Sequence, residues 1–237
     1  MQIVISNLTR MAPGFFCFAG IDLETKNNIR PVVPGNRLPT SLLKREPVKY
    51  QLRSVIDIGY TKPLELIPES EDNEFSPFNT TFIRELPFRD FWYLLRSCAK
   101  FSLFSIFGKE LRCRGSKYFI ETDTGKVSLG YFLIRTPLIL SVVKRLDNSE
   151  QVRINGRTKY NPFDLSITDL RLYSEKFIAD RDLVVKLNDE LTQKMWIVLC
   201  VGLTRAFATS SDYRPVHWVQ VNNILIPYDP PWFPTRK

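Results

Sequence analysis

Basic side chains that could bind phosphate are concentrated in one part of this sequence. The chain carries 33 Lys and Arg against 25 Asp and Glu, a net charge of +8. Residues 101–160 hold 11 basic and 5 acidic side chains, so +6 of that excess lies there. Such a region attracts polyanions, because neutralised phosphates release condensed counterions. The alternative is a solvated basic face that binds no partner.

Aromatic residues stand beside these cations and suggest single-stranded nucleic acid as the ligand. Tyr118 follows Lys117, and Phe119 comes next. Single-strand binders stack bases on aromatic rings next to basic side chains. We therefore expect Arg112, Arg114, Lys117 and Tyr118 to contact nucleic acid.

A second group of candidate arginines lies at predicted strand ends. An apolar run leads into Leu-Thr-Arg twice, at residues 8–10 and 203–205. A guanidinium at a strand end can hold a phosphate or a carboxylate, so Arg10 and Arg205 are either ligand contacts or partners of a nearby acid. Arg30 precedes Pro31, which favours extended backbone. It is predicted to contact a phosphate or, alternatively, to pair with Asp22 across a hairpin.

Other chemistries find no support in the sequence. There is one His, and the four Cys are far apart, so we expect no metal site. No Gly-rich phosphate loop, dinucleotide fingerprint, zinc-protease motif or nucleophile elbow is present, so we expect neither a catalytic residue nor a cofactor. His217 is expected to be structural. The start of the chain lacks signal-peptide features, which predicts a cytoplasmic protein with reduced cysteines.

The pattern of short apolar runs and turns predicts a mainly β fold with one connecting helix. Residues 88–107 have helical spacing, with Pro87 and Gly108 suited to the two ends. Charged residues interrupt this stretch, and its longest uncharged part, residues 101–107, is far shorter than the about 20 residues that a membrane span needs. Two β-barrels in tandem are predicted, at residues 1–86 and 109–237, with the helix at 87–108. A single mixed α+β domain is the alternative, and the acidic residues near 69–74 are expected in a surface loop.

Four motifs stand out: the run LTRMAPGFFCFAGIDLETKNNIRPV near the start, Ser-Leu-Gly at 128–130, and GLTRAF and HWVQVNNI near the end. Through them nearly the whole chain resembles the bacterial dual OB-fold proteins, the DuOB-type domain. The motifs are densest at the two ends and thin between about 60 and 120. The resemblance implies two OB-like barrels, nucleic-acid binding and a place in bacterial defence or mobile-element systems. It implies no catalytic residue and leaves open whether its motif residues serve the ligand or the fold. Those residues are Leu8, Thr9, Arg10, Gly20, Asp22, Arg30, Pro31, Leu203, Thr204, Arg205, His217 and Trp218.

A protein-interaction adaptor or accessory subunit is the alternative function. OB-like barrels also bind proteins, and fold does not fix function. The Pro-rich, aromatic stretch at 226–234 is of a kind that docks on partners or folds back over its own barrel. The predicted partners are therefore single-stranded nucleic acid and a protein bound through this tail, with no membrane.

Overall fold

Short strands form two separate sheets, so the prediction of a mainly β fold is confirmed. The structure is a computed structural model, and it describes residues 1–145, 148–158, 161–208 and 214–228. Among these residues no helix is long and apolar enough to cross a membrane.

The first sheet is built from the N-terminal third of the chain. Its strand order is β6-β7-β3-β2-β1-β5-β8, with β4 paired to β2. The β3–β7 pair is parallel, and the other pairs are antiparallel. The strands are β1 (Gln2–Arg10), β2 (Phe15–Asp22), β3 (Asn28–Val32), β4 (Leu38–Pro39), β5 (Ser54–Asp57), β6 (Lys62–Pro63), β7 (Asp72–Glu74) and β8 (Thr81–Glu85).

The second sheet follows the order β11-β15-β16-β14-β13-β12, with β10 paired to β16 and β9 to β10. Here β14 and β16 are parallel. Helix α3 (Arg181–Thr192) packs on β12, and the Asp180 side chain caps its first turn. The strands are β9 (Arg112–Arg114), β10 (Lys117–Glu121), β11 (Leu129–Arg135), β12 (Ile139–Lys144), β13 (Glu150–Arg157), β14 (Pro162–Ile167), β15 (Trp196–Leu203) and β16 (Val216–Leu225).

The prediction of a single helix over 87–108 is wrong in its number of helices. The segment forms two, α1 (Phe88–Cys98) and α2 (Leu103–Phe107). Pro87 and Gly108 stand at the two outer ends as expected. Between the helices, the Lys100 N–H donates to the Tyr131 carbonyl at 2.8 Å, and the Leu133 N–H donates to the Lys100 carbonyl at 2.9 Å. The chain leaves the helix here because its backbone pairs with the edge of β11 instead.

Each sheet covers its own apolar core, and a third core joins the two. In this third core Val4 of β1 and Leu95 of α1 pack with Val198 of β15, and all three are fully buried. Burying side chains of this size stabilises the fold by about 1.5–3 kcal/mol each. The two sheets therefore share an apolar interface with the connecting helix.

Polar groups at the end of β1 also bind the second sheet. The Asn223 side chain accepts the Leu8 N–H at 2.7 Å and donates to the Leu8 carbonyl at 3.3 Å. Ser6 lies at an irregularity in the β1–β2 pairing, and its hydroxyl is 2.7 Å from that of Tyr131. These bonds fix β1 against β16 and β11, which sets where Thr9 and Arg10 lie.

The acidic segment (residues 69–72) is not the surface loop expected from its composition. Glu69, Glu71 and Asp72 are buried. The Glu71 carboxylate accepts hydrogen bonds from the Ser128 N–H at 2.8 Å, the Ser128 hydroxyl at 2.9 Å and the Leu129 N–H at 3.0 Å. Burial raises the pKa of Glu71, although these bonds oppose the shift. The acidic segment therefore holds the first sheet against β11 of the second sheet, and we call this connection the clamp.

Truncation of this clamp is expected to destabilise the protein. Glu71→Ala leaves buried donors of residues 128 and 129 without an acceptor, so the free energy of unfolding should fall by about 1–3 kcal/mol or more at neutral pH. Urea unfolding measures this loss. Glu74→Ala is the matched control, because Glu74 is exposed two residues beyond the segment. Equal stability of the two variants would contradict the clamp.

Candidate nucleic-acid interface

A cleft with a volume of ≈ 1160 Å³ lies between the two sheets. From the first sheet, β1, β2 and β3 line it with side chains that include Thr9, Cys17 and Arg30. From the second sheet, β13, β14 and β16 line it, with Ser166 and Gln220 among their residues. The cleft is therefore built by both halves of the chain.

Positive charge dominates the lining of this cleft. Among the described residues, eight cationic side chains and two carboxylates line it, a net charge of +6. The sequence has a net charge of +8 over its whole length, so the cleft concentrates positive charge from both sheets. The cations are Arg10, Arg30, Arg37, Arg114, Lys117, Arg145, Arg153 and Arg205, and the carboxylates are Asp72 and Asp164.

Arg10 stands at the end of β1 as a cation stacked on an aromatic ring. Its guanidinium carbon lies 3.9 Å from the centre of the Tyr173 ring, and Nη2 donates to the Glu150 carbonyl at 3.3 Å. Burial lowers the pKa of Arg10, Tyr173 raises it, and the neighbouring Arg145 lowers it. Arginine nevertheless remains charged in proteins. No carboxylate among the described residues forms an ion pair with Arg10. Its charge is thus available to an anion in the cleft.

Arg30 and Arg205 hold a carboxylate rather than facing the cleft unpaired. Arg30 Nε lies 2.5 Å from Asp72 Oδ1, and Arg205 binds the other oxygen of the same carboxylate. A second branch of Arg205 lies 2.9 Å from Glu69. Burial lowers the pKa of Arg205, but Asp72 and Glu69 outweigh it, so the pKa is raised.

The partner of Arg30 differs from the alternative considered for it. Asp22 instead accepts the Glu24 N–H at 2.7 Å and so closes the turn after β2. Asp72 is fully buried on β7, which is parallel to β3, and this places it opposite Arg30. The pairing crosses 42 residues of chain and has no local sequence signal. Arg30 and Arg205 therefore join the two sheets through Asp72.

Some residues of the basic hairpin formed by β9 and β10 line the cleft, and others do not. Arg114 and Lys117 are exposed, stand opposite each other and line the cleft. Arg112 is exposed but does not line it, and its guanidinium donates to the Lys109 carbonyl at 3.0 Å. Tyr118 is only 2% exposed, because alternation along β10 turns it into the core against Phe104. The prediction that Tyr118 stacks a base is corrected for this reason.

Two aromatic residues outside the predicted set reach the cleft. Trp218 on β16 is partly buried and lines it, and so does Phe207, which is 46% exposed. His217 points the other way, and its Nδ1 lies 2.9 Å from the Thr204 carbonyl, in keeping with a structural role. Alternation along the strand at 216–221 is the sequence signal that puts Trp218 and His217 on opposite faces.

Some predicted features lie outside the described residues. The Pro-rich tail is outside them from residue 229 onwards. Within the described ranges, no group of three or more His, Cys, Asp or Glu side chains is arranged to hold a metal ion.

Comparison with known families agrees with the two sheets. The family model of the dual OB-containing domain matches residues 1–224. The chain belongs to this family, and the predicted pair of OB-like barrels is confirmed. A search of curated proteins found no match.

Without the Asp72 carboxylate the protein should unfold more easily. Asp72→Asn leaves the buried guanidinium of Arg30 without its counter-ion, and broken buried ion pairs cost about 3–5 kcal/mol. Thermal and urea unfolding measure the change. Asp123→Asn is the isosteric control, because Asp123 is exposed and Asn also tolerates its positive φ of 59°. If both variants lie within about 0.5 kcal/mol of the parent, the bridging role of Asp72 is wrong.

Proposed function

We propose that this protein binds single-stranded nucleic acid in the cleft between its two barrels. The observation that carries the proposal is the net charge of +6 among the described residues that line this cleft. Like charges gathered on two facing walls repel one another, and a polyanion between the walls removes that repulsion. Binding should therefore be strong at low salt and weaken steeply as salt rises.

The strands that line the cleft support a single strand as the ligand. OB folds bind oligonucleotides on the face of their second and third strands. In the first barrel, β2 and β3 supply Cys17, Ala19 and Val32 to the cleft. Trp218 and Phe207 are placed in the same cleft, where exposed base faces can stack. A paired duplex hides those faces, so an unpaired strand uses these contacts better.

Not all cations in the cleft are equal candidates for phosphate contacts. Arg153 is held by Asp164, with 2.7 Å between Nε and Oδ1. Arg30 and Arg205 are held by Asp72. Arg10, Arg114 and Lys117 of the predicted set line the cleft, and Arg37 and Arg145 are further exposed residues of the lining. We assign the phosphate contacts to these five side chains.

A protein partner is the second candidate, and one observation outside the cleft favours it. Phe101 is 69% exposed and lies against Trp196, which is 42% exposed, with ring centres 5.8 Å apart. Neighbouring exposed aromatic rings are typical of protein contact sites. Co-purification of a stable protein without nucleic acid would favour this adaptor function. A role in a bacterial defence or mobile-element system stays a prediction from the family resemblance.

A salt titration of binding tests the proposed function. Labelled single-stranded DNA and RNA are titrated with the parent protein, Arg10→Ala and Arg114→Ala/Lys117→Ala, and fluorescence anisotropy gives the affinity at each salt concentration. Each lost phosphate contact should lower the slope of log K against log salt by about 0.7. We expect a loss of about 0.7 for the single variant and about 1.4 for the double variant.

Two control variants separate the cleft from general surface charge. Arg89→Ala removes an exposed arginine of α1 outside the cleft, and Arg112→Ala removes the exposed arginine of β9 that does not line it. Both should retain the parent slope. Absence of binding at low salt would refute the proposal, and equal losses in the controls would place the binding outside the cleft.

A further inference from the structure

We infer that the wall of the cleft formed by the second barrel reads the bases of its ligand through hydrogen bonds, so that the protein prefers one base over the others. This inference rests on the proposed function, because it assumes a single strand in the cleft. It goes further by naming how the strand is recognised and which side chains set the preference. Gln220 and Ser166 are the principal residues.

A row of polar side chains crosses three neighbouring strands of this wall. Arg153 of β13 is the register partner of Ser166 on β14, and Ser166 is the register partner of Gln220 on β16. Neighbouring strands lie about 4.8 Å apart, so the three side chains stand side by side on one face. All three line the cleft and are partly buried.

Alternation along each strand assigns this row to the cleft and its sequence neighbours to the core. Val152 and Ile154 flank Arg153, and both belong to the core of the second barrel. The same holds for the apolar neighbours of the other two positions, which are Leu165, Ile167, Val219 and Val221. The backbone of a well-packed sheet therefore holds the polar row in a fixed position.

The row keeps hydrogen-bonding groups available for a ligand. Gln220 Nε2 donates to Asn222 Oδ1 at 3.1 Å, which orients the amide. In the described part of the chain, neither Gln220 Oε1 nor the Ser166 hydroxyl has a protein hydrogen-bond partner. Arg153, by contrast, is occupied by Asp164 and Gln151. The wall thus offers an amide and a hydroxyl beside a fixed cation.

Room for the neighbouring amide depends on a glycine of β15. A Cβ at Gly202 would lie 2.6 Å from Asn222 Nδ2, closer than real side chains approach. Gly202 is also the register partner of Gln220. The absence of a side chain at this position lets Asn222 lie where it can bind Gln220.

The balance of side chains in the cleft favours hydrogen-bond reading over stacking alone. Among the described aromatic residues of the lining, Phe16, Phe18 and Tyr118 are buried in cores. Of these described residues, only Trp218 and Phe207 are left to stack bases, and stacking accepts every base. Amides and hydroxyls discriminate, because each base edge has its own pattern of donors and acceptors. Gln151, Ser166, Thr168, Gln220 and Asn222 supply such groups to the lining.

Homopolymer binding tests this inference. The full chain is titrated with labelled oligo(dA), oligo(dC) and oligo(dT) of about 16 nucleotides at one low salt concentration. We expect one homopolymer to bind at least about tenfold more tightly than the weakest, as one good pair of base hydrogen bonds would give. In Gln220→Leu the preferred homopolymer should fall to within about threefold of the others, while the salt slope stays that of the parent.

Matched variants keep the test decisive. Ser166→Ala removes one hydroxyl and little volume, so it reports on base reading even if Gln220→Leu proves unstable in thermal unfolding. Gln193→Leu makes the same chemical change at an exposed residue outside the cleft and should leave the preference unchanged.

The outcomes separate this inference from the proposed function. Equal affinity for the three homopolymers with a steep salt dependence would overturn base reading and leave the proposed function intact. A preference that persists in both cleft variants would likewise overturn the assignment to this wall. No binding of any homopolymer at low salt would refute the proposed function itself. Tighter binding of a neutral oligosaccharide than of every homopolymer would show that the polar row serves a sugar ligand instead.

Discussion

The arrangement of the two barrels depends on the buried carboxylate of Asp72. It binds Arg30 of its own barrel and Arg205 of the other. Removing a carboxylate from water is costly, and only paired cations and hydrogen bonds compensate for that cost. Because Arg205 comes from the other barrel, the full compensation exists only when the barrels are docked. The Glu71 carboxylate adds a second connection through the backbone of residues 128 and 129.

The basic residues of the cleft fall into two groups with different roles. Arg30, Arg153 and Arg205 are held by acids and shape the walls of the cleft. Arg10 instead stacks on Tyr173, which fixes the side chain without neutralising it. The cations that line the cleft outnumber its carboxylates among the described residues, and this net charge is what a polyanion can bind. The same docking sets the polar row of β13, β14 and β16 opposite the first barrel.

Sequence patterns predicted the architecture well, because strand alternation and turn residues act locally. The β content, the outer ends of the helical segment and the two Leu-Thr-Arg strand ends follow from neighbouring residues. The partners of Arg30 and Arg205 could not be predicted, since Asp72 meets them through strand pairing far along the chain. For the same reason the buried acidic segment was expected at the surface. Tyr118 was misjudged because its basic neighbours outweighed the alternation that turns its ring inward.

Photo-crosslinking of a bound strand tests the central claim, that nucleic acid lies between the two barrels, most directly. A single-stranded oligonucleotide with a photoreactive base is irradiated in complex with the full chain, and mass spectrometry locates the crosslinked peptides. The account predicts crosslinks on both walls of the cleft, near Trp218 and Phe207 on one side and on β2 or β3 on the other. Crosslinks confined to one barrel, or to surfaces outside the cleft, would contradict it.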